Sequence, residues 1–245
     1  MRLERTDRDG RAVVVKHTEH PASFEAEGLA ALAAAGAHVP TVHDVGAHHL
    51  VMDDLDAMAR GRRARRRDWE ALGANLAQVH RDVGTDHGWH RDNMVGATRQ
   101  PNLPRDADWA TFHWHCRVAP HLEVLPAEVA TRLRRARPAL AARLDHDAVP
   151  SLLHGDLWSG NVLHGRWFID PAVCRGDREL DLAFLALFGG VPDAFAAGYD
   201  ATWPRDDGWR DRLPLLQLYH LLVHVRLFGQ AYVPPLVARL DAAGW

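Results

Sequence analysis

Residues 151–170 constrain this chain more than any other stretch. They read Ser-Leu-Leu-His-Gly-Asp-Leu-Trp-Ser-Gly-Asn-Val-Leu-His-Gly-Arg-Trp-Phe-Ile-Asp. An apolar run delivers His154, Gly155 and Asp156 into a polar loop, and Asn161 closes the loop five residues after Asp156. His164-Gly165 is a turn signal, so Trp167, Phe168 and Ile169 are expected to return as a strand ending on Asp170. Asp and Asn shape turns unaided, but a turn does not require a further acid at a strand end. The segment therefore reads as a strand-loop-strand unit that gathers two carboxylates and an amide.

That set suits phosphoryl transfer. A carboxylate can accept the proton of an attacking hydroxyl, and hard oxygen atoms can hold Mg²⁺, which offsets charge on the transferring group. The spacing of Asp156, Asn161 and Asp170 resembles the kinase signature of an Asp, an Asn five residues on, and a later metal-binding Asp. In that signature a strand lysine holds the nucleotide phosphates and pairs with a helix glutamate. Of the 29 basic residues here only Lys16 is lysine, and it ends the β-branched run Val13-Val14-Val15. An ammonium on a flexible stem is not interchangeable with a planar guanidinium, so the lone lysine marks a position with a specific task. The helix that follows offers Glu25 and Glu27, which stand two apart and cannot face the same way.

Along the chain, residues 2–6 and 12–16 read as strands joined by the turn Asp7-Arg8-Asp9-Gly10. Pro21 opens a helix to about Ala35, with Gly36 as its stop. Residues 39–45 and 50–52 read as further strands. A basic run, 60–67, reads as a solvated linker. A helix is expected over 68–81 with Trp69, Leu72, Leu76 and Val79 on one face. Residues 84–108, rich in Gly, Asn, Asp and Pro, read as a long loop. Helices are expected over 109–122, 126–144, 177–188, 191–200 and 209–229. The fold class is α+β, with a small strand-rich lobe over 1–54 and a larger helical lobe over 55–245.

The net charge of −3 argues against a dedicated nucleic-acid binder. No apolar run is expected to reach the roughly 18 residues a membrane helix needs, and the charged N-terminus is no signal peptide. Cys116 and Cys174 make no disulfide framework, which suits a cytoplasmic protein. His113, His115 and Cys116 are close in sequence, but 113 and 115 face apart on a helix and form no expected zinc site. His220 and His224 have helical spacing but lack the Glu of a zinc-protease motif. Asp181 is expected to brace the catalytic loop by accepting its backbone N–H groups.

His154-Gly155-Asp156-Leu157-Trp158-Ser159-Gly160-Asn161 resembles the fructosamine kinases, within the aminoglycoside phosphotransferase group of the protein-kinase-like fold. The resemblance extends to Val-Val-Val-Lys at 13–16, Leu-Val-Met-Asp at 50–53, Gln-Pro-Asn at 100–102, Ile-Asp-Pro-Ala at 169–172, Gly-Asp-Arg-Glu-Leu-Asp-Leu-Ala at 176–183 and Leu-Phe-Gly at 227–229. It implies ATP-dependent phosphorylation of the 3-hydroxyl of a ketosamine, with Asp156 as base and Asn161 and Asp170 on Mg²⁺. It implies that Lys16 and Glu27, with Glu25 as the alternative, serve the phosphates, and that the backbone of Met52, Asp53 and Leu55 holds adenine. It places Trp158 and His154 at the substrate. It also implies a strand and a glycine-containing phosphate loop ahead of the first strand seen here, so the expected small lobe lacks both. The partner it implies is a small glycated amine, with no nucleic acid and no membrane.

Overall fold

The computed structural model describes residues 2–60, 68–189 and 192–245. The basic run beyond Arg60 and the expected helix start at Val191 lie outside the described residues. Strands β1 (Arg2–Arg8) and β2 (Arg11–His17) form an antiparallel hairpin. Asp9 and Gly10 at its tip both take positive φ, and the Asp7 carboxylate accepts the Gly10 N–H, as an Asp-Gly hairpin turn requires. β3 (Val42–Val45) and β4 (His49–Asp53) complete a sheet of order β1-β2-β4-β3. β1 lies on its edge, exposed along its whole length. Helix α1 (Ser23–Ala34) packs on the sheet through Leu29, which meets Leu50 and Met52. Its Leu32 joins Val79, Leu152 and Val173 of the following region.

The rest of the chain is mainly helical. After α2 (Leu55–Arg60), α3 (Trp69–His80) starts on Asp68, whose carboxylate caps the Ala71 N–H. The expected loop over 84–108 contains a hairpin that the sequence reading missed, β5 (Asn93–Val95) and β6 (Thr98–Gln100). The expected helix over 109–122 is α4 (Trp109–Phe112), running on through a wide π turn to Val118 and a tight 3₁₀ segment to Val124. His113 is buried there beside Trp109, His115 is exposed and Cys116 turns to the Leu103 carbonyl, so the three do not converge. Both cysteines are free and buried.

Next come α5 (Ala127–Leu144), β7 (Ser151–Leu153), β8 (Val162–Leu163), β9 (Trp167–Phe168) and β10 (Cys174–Gly176). β10 pairs with β7 and was not expected. Helices α6 (Glu179–Leu187), α7 (Asp193–Thr202), α8 (Trp209–Phe228) and α9 (Val233–Ala242) finish the chain, α9 again unforeseen. By mean hydropathy and length, though not by an unbroken apolar run, Trp209–Ala242 is the one helical stretch among the described residues that could cross a membrane. Within its α8, Leu215, Leu216, Leu218, Tyr219 and Leu222 are fully buried in the core, and Arg212 is ion-paired to Glu179.

A polar network joins the segment after α5 to α6 and α8. Arg212 donates two hydrogen bonds to Glu179 (2.7 and 2.6 Å), and its guanidinium supplies the positive charge among these acids. Asp177 accepts the Glu179 N–H and stands 2.9 Å from His146 Nε2. Burial acts to lower the His146 pKa, but the hydrogen bond and charge of Asp177 outweigh it and raise the value above the usual 6.5. A raised histidine pKa contributes stability that is fully present below the unfolded value and is lost as pH rises through the folded one. The expected result is that the unaltered chain loses more stability than His146→Gln as pH rises from about 6 to 8. Denaturant midpoints at both pH values would measure it, and identical losses in the two proteins would remove His146 from the account.

Candidate active site

β7 delivers the loop that carries Asp156. Gly155 sits at φ +82°, where a Cβ would lie 1.9 Å from the Ala172 carbonyl oxygen, so both the backbone conformation and the space require glycine. Asp181 at the start of α6 is wholly buried and accepts the N–H groups of His154 (2.7 Å) and Gly155 (2.9 Å). It therefore makes the bracing contacts expected of it. His80 Nε2 stands 3.2 Å from Asp181, with His80 Nδ1 2.7 Å from the Tyr199 hydroxyl. Burial works to raise the Asp181 pKa, but His80, His154 and the loop N–H groups hold it low, so the brace stays ionised. From the far side His220 Nε2 meets the Gly155 carbonyl at 3.2 Å while its ring stacks on Phe184 at 3.7 Å. Sequence reasoning assigned neither His80 nor His220 to the site.

His154 is a correction. Its side chain is buried, with Nε2 2.9 Å from the Ile169 carbonyl and Nδ1 accepting the Asp156 N–H at 3.3 Å. Both ring nitrogens are hydrogen-bonded inside the protein, so the residue ties the loop to the strand leading to Asp170 and has no ring nitrogen left for a substrate hydrogen bond.

Asp156, Asn161, Asp170 and Lys16 converge. Asn161 Nδ2 donates to the Asp156 carbonyl (2.8 Å) and lies 3.2 Å from its Oδ2. A carbonyl only accepts, so this contact sets the amide orientation, and Asn161 Oδ1 has no hydrogen-bond donor among the described residues. Asp170 takes φ +55°, a left-handed conformation that Asp tolerates, and its Oδ1 receives Lys16 Nζ at 2.7 Å. Lys16 also donates to Glu25 Oε2 at 2.6 Å. The expected partner Glu27 is thus corrected to Glu25: α1 turns Glu27 away from the cleft to meet Trp89 and Arg91.

Charge in this cluster is poised. Burial raises the Asp156 carboxyl to about 7, against the Asn161 hydrogen bond and with help from Asp170 and Asp181. Burial acts to lower the Lys16 pKa, but Glu25 and Asp170 outweigh it, and Lys16 stays charged. Burial and the Asp170 charge push the Glu25 carboxyl up despite Lys16.

These residues border a cleft of about 340 Å³ that Lys16, Glu25, Asp156 and Asp170 share with Phe24, Met94 and Ala97. The β5–β6 turn therefore forms a wall of the site. Trp158 stands beside Asp156 with 41% of its surface exposed, so it is not a core tryptophan. A Cβ on Gly160 would strike its indole at 2.3 Å. At the end of β4, the N–H groups of Asp53 and Asp54 donate to the Thr41 and Ala12 carbonyls, and Asp54 Oδ1 caps the N–H groups of Asp56 and Ala57.

The sequence profile of the fructosamine kinase family matches residues 5–242. The chain belongs to the fructosamine kinase family. Among its relatives, a protein named a probable ketoamine kinase in Enterococcus faecium is 38% identical over 67% of this chain and 63% of its own length. Another so named in Thermus thermophilus is 34% identical over 98% of this chain and 90% of its own. The crystal structure of a candidate fructosamine-3-kinase from Thermobifida fusca superposes with a TM-score of 0.85 at 32% identity, covering 99% of this chain and 93% of that one. The aminoglycoside phosphotransferase APH(4)-Ia matches at 18% identity with a TM-score of 0.63, covering 99% of this chain and 92% of that one. That likeness shows the fold, which is protein-kinase-like. Lys16, Glu25, Asp156 and Asp170 thus line one cleft in a member of this family.

Proposed function

We propose that this chain is an ATP-dependent kinase that phosphorylates the 3-hydroxyl of a ketosamine, a sugar-amine adduct, as a step in deglycation. The observation that carries the reading is the meeting of Asp156, Asp170 and the Lys16–Glu25 pair on one cleft, with Asn161 hydrogen-bonded to Asp156, in a member of this family. In this reading residues 1–54 form the nucleotide lobe and 55–245 the catalytic and substrate lobe, in a cytoplasmic protein.

Asp156 accepts the proton of the attacking hydroxyl. The new P–O bond forms as the bond from the γ-phosphorus to the ADP oxygen breaks. Lys16 holds the nucleotide phosphates, and Glu25 and Asp170 hold Lys16 in place. Adenine packs against the Met52–Leu55 segment, where the Leu55 N–H is taken neither by the sheet nor by the Asp54 cap. Trp158 offers an indole face to the sugar. The donor set also fits Mg²⁺, a cation that prefers oxygen ligands: Asn161 Oδ1 has no hydrogen-bond donor among the described residues, and Asp170 keeps Oδ2 beyond its Lys16 bond. When bound, Mg²⁺ supplies positive charge that stabilises the transferring phosphoryl group.

Substrate choice tests the proposal. Fructosyl-lysine, ribulosyl-lysine and kanamycin would each be offered with Mg-ATP, and phosphorylated product followed by phosphorus NMR. The ketosamines are expected to be phosphorylated and kanamycin left unchanged. Preference for kanamycin would move the chain to aminoglycoside-type chemistry, and no product from any acceptor would favour a non-catalytic binding role.

A further inference from the structure

Helix α1 carries Glu25, so its position decides whether Lys16 has its second carboxylate. If α1 moved away, Lys16 would keep Asp170 alone and bind the oxygen-donor group that the proposed chemistry needs. α1 begins without a side-chain cap, and the grip that places it comes from the helical part of the chain. On one side Gly28 rests against Pro171 and Val173, where a Cβ would meet Pro171 Cγ at 3.0 Å. On another, Glu27 gathers three consecutive residues of the segment after α3. The Trp89 indole N–H donates to Glu27 Oε1, the Arg91 guanidinium pairs with Oε2, and His90 Nε2 stands 3.2 Å from Oε1. The Arg91 guanidinium also lies 4.7 Å above the Phe24 ring, next to Glu25 in the first turn of α1.

We infer that Glu27 is a positioning residue: its clamp on Trp89-His90-Arg91 fixes α1 so that Glu25 shares Lys16 with Asp170. Glu27 touches no reacting group and acts through Glu25. The clamp also joins α1 to the connection that leads into the β5–β6 hairpin, so the helix and the wall opposite it are set by one contact.

The inference rests on the kinase reading for what Lys16 binds, and its test does not depend on the acceptor. Amide hydrogen exchange in α1 and Mg-ATP affinity by calorimetry would be measured for Arg91→Ala, Glu27→Gln, the double variant and Arg91→Lys. Arg91 is partly exposed, so its replacement should leave the melting midpoint near that of the unaltered chain. Exchange in α1 is expected to quicken by about tenfold, and Mg-ATP to bind about tenfold more weakly, in either single variant. The double variant should be no worse than the singles, because both break one contact. Arg91→Lys, which keeps the charge, should recover part of both losses. Unchanged α1 exchange in Arg91→Ala, or losses that multiply in the double variant, would overturn the clamp. Absence of Mg-ATP binding in the unaltered chain would strike the kinase reading instead, and the exchange comparison alone would then decide the clamp.

Discussion

Asp156→Asn is expected to lower turnover by about 10²–10⁴-fold, the range for losing a general base, while leaving the fold intact. Asparagine has the size of aspartate, and the 2.8 Å bond from Asn161 goes to the backbone carbonyl of residue 156, which the change does not touch. The price of burial runs in the same direction. Asp156 is raised to about 7 by burial, against Asn161 and with the nearby charges of Asp170 and Asp181. A neutral amide relieves that unfavourable charge, so the thermal midpoint of the variant should equal or exceed that of the unaltered chain. Single-turnover phosphorylation of fructosyl-lysine measures the chemical step, and a melting curve checks the fold. A near-normal rate would remove Asp156 as the base. A large drop in the melting midpoint would show that its carboxylate is structural.

What sequence could show of this site was mostly local. The Asp156–Asn161 loop, the turn before β9 and the Asp9-Gly10 hairpin each lie within a few residues, and turn chemistry with β-branched runs made them legible. The Lys16 partner was not legible in the same way. Glu25 and Glu27 lie two positions apart on α1, and which one faces β2 depends on how the chain from Thr18 to Ala22 enters the helix. That entry is set by backbone bonds from Thr18 to His48 and from Ala22 to Ala47, both far along the chain. The β5–β6 hairpin escaped because its strands have three residues each, too short for an alternating pattern, although Gly96 at φ +55° marks its turn. β10 escaped for the same reason. His154 was placed at the substrate by its neighbours in the motif, whereas its burial depends on Ile169 and Asp181 folding over it. His80 reaches the Asp181 brace from α3 and His220 reaches the loop from α8, and no sequence spacing connects either to it.

Asp181→Ala is expected to be the most damaging single change outside the reacting groups. The carboxylate satisfies the His154 and Gly155 N–H groups and the His80 ring, and no surface of Asp181 reaches solvent. Water cannot replace those bonds cheaply, so removal leaves buried donors unpaired. Breaking a buried, charged hydrogen-bond network in this way costs about 3–5 kcal/mol, against a total stability of roughly 5–15 kcal/mol for a domain. Asp181→Asn should not rescue it: the amide has one oxygen for two backbone N–H groups, and its NH₂ would face the second donor. Alanine and asparagine should therefore both lose stability, whereas a packing role would spare asparagine. Turnover should fall further than the folded fraction, because Gly155 would no longer be held where Asp156 meets Asn161. Denaturant unfolding at neutral pH, with turnover measured well below the midpoint, separates the two effects. A loss below about 1 kcal/mol in Asp181→Ala, the scale of an ordinary exposed ion pair, would mean that His220 and the Ala172 contact hold the loop without it.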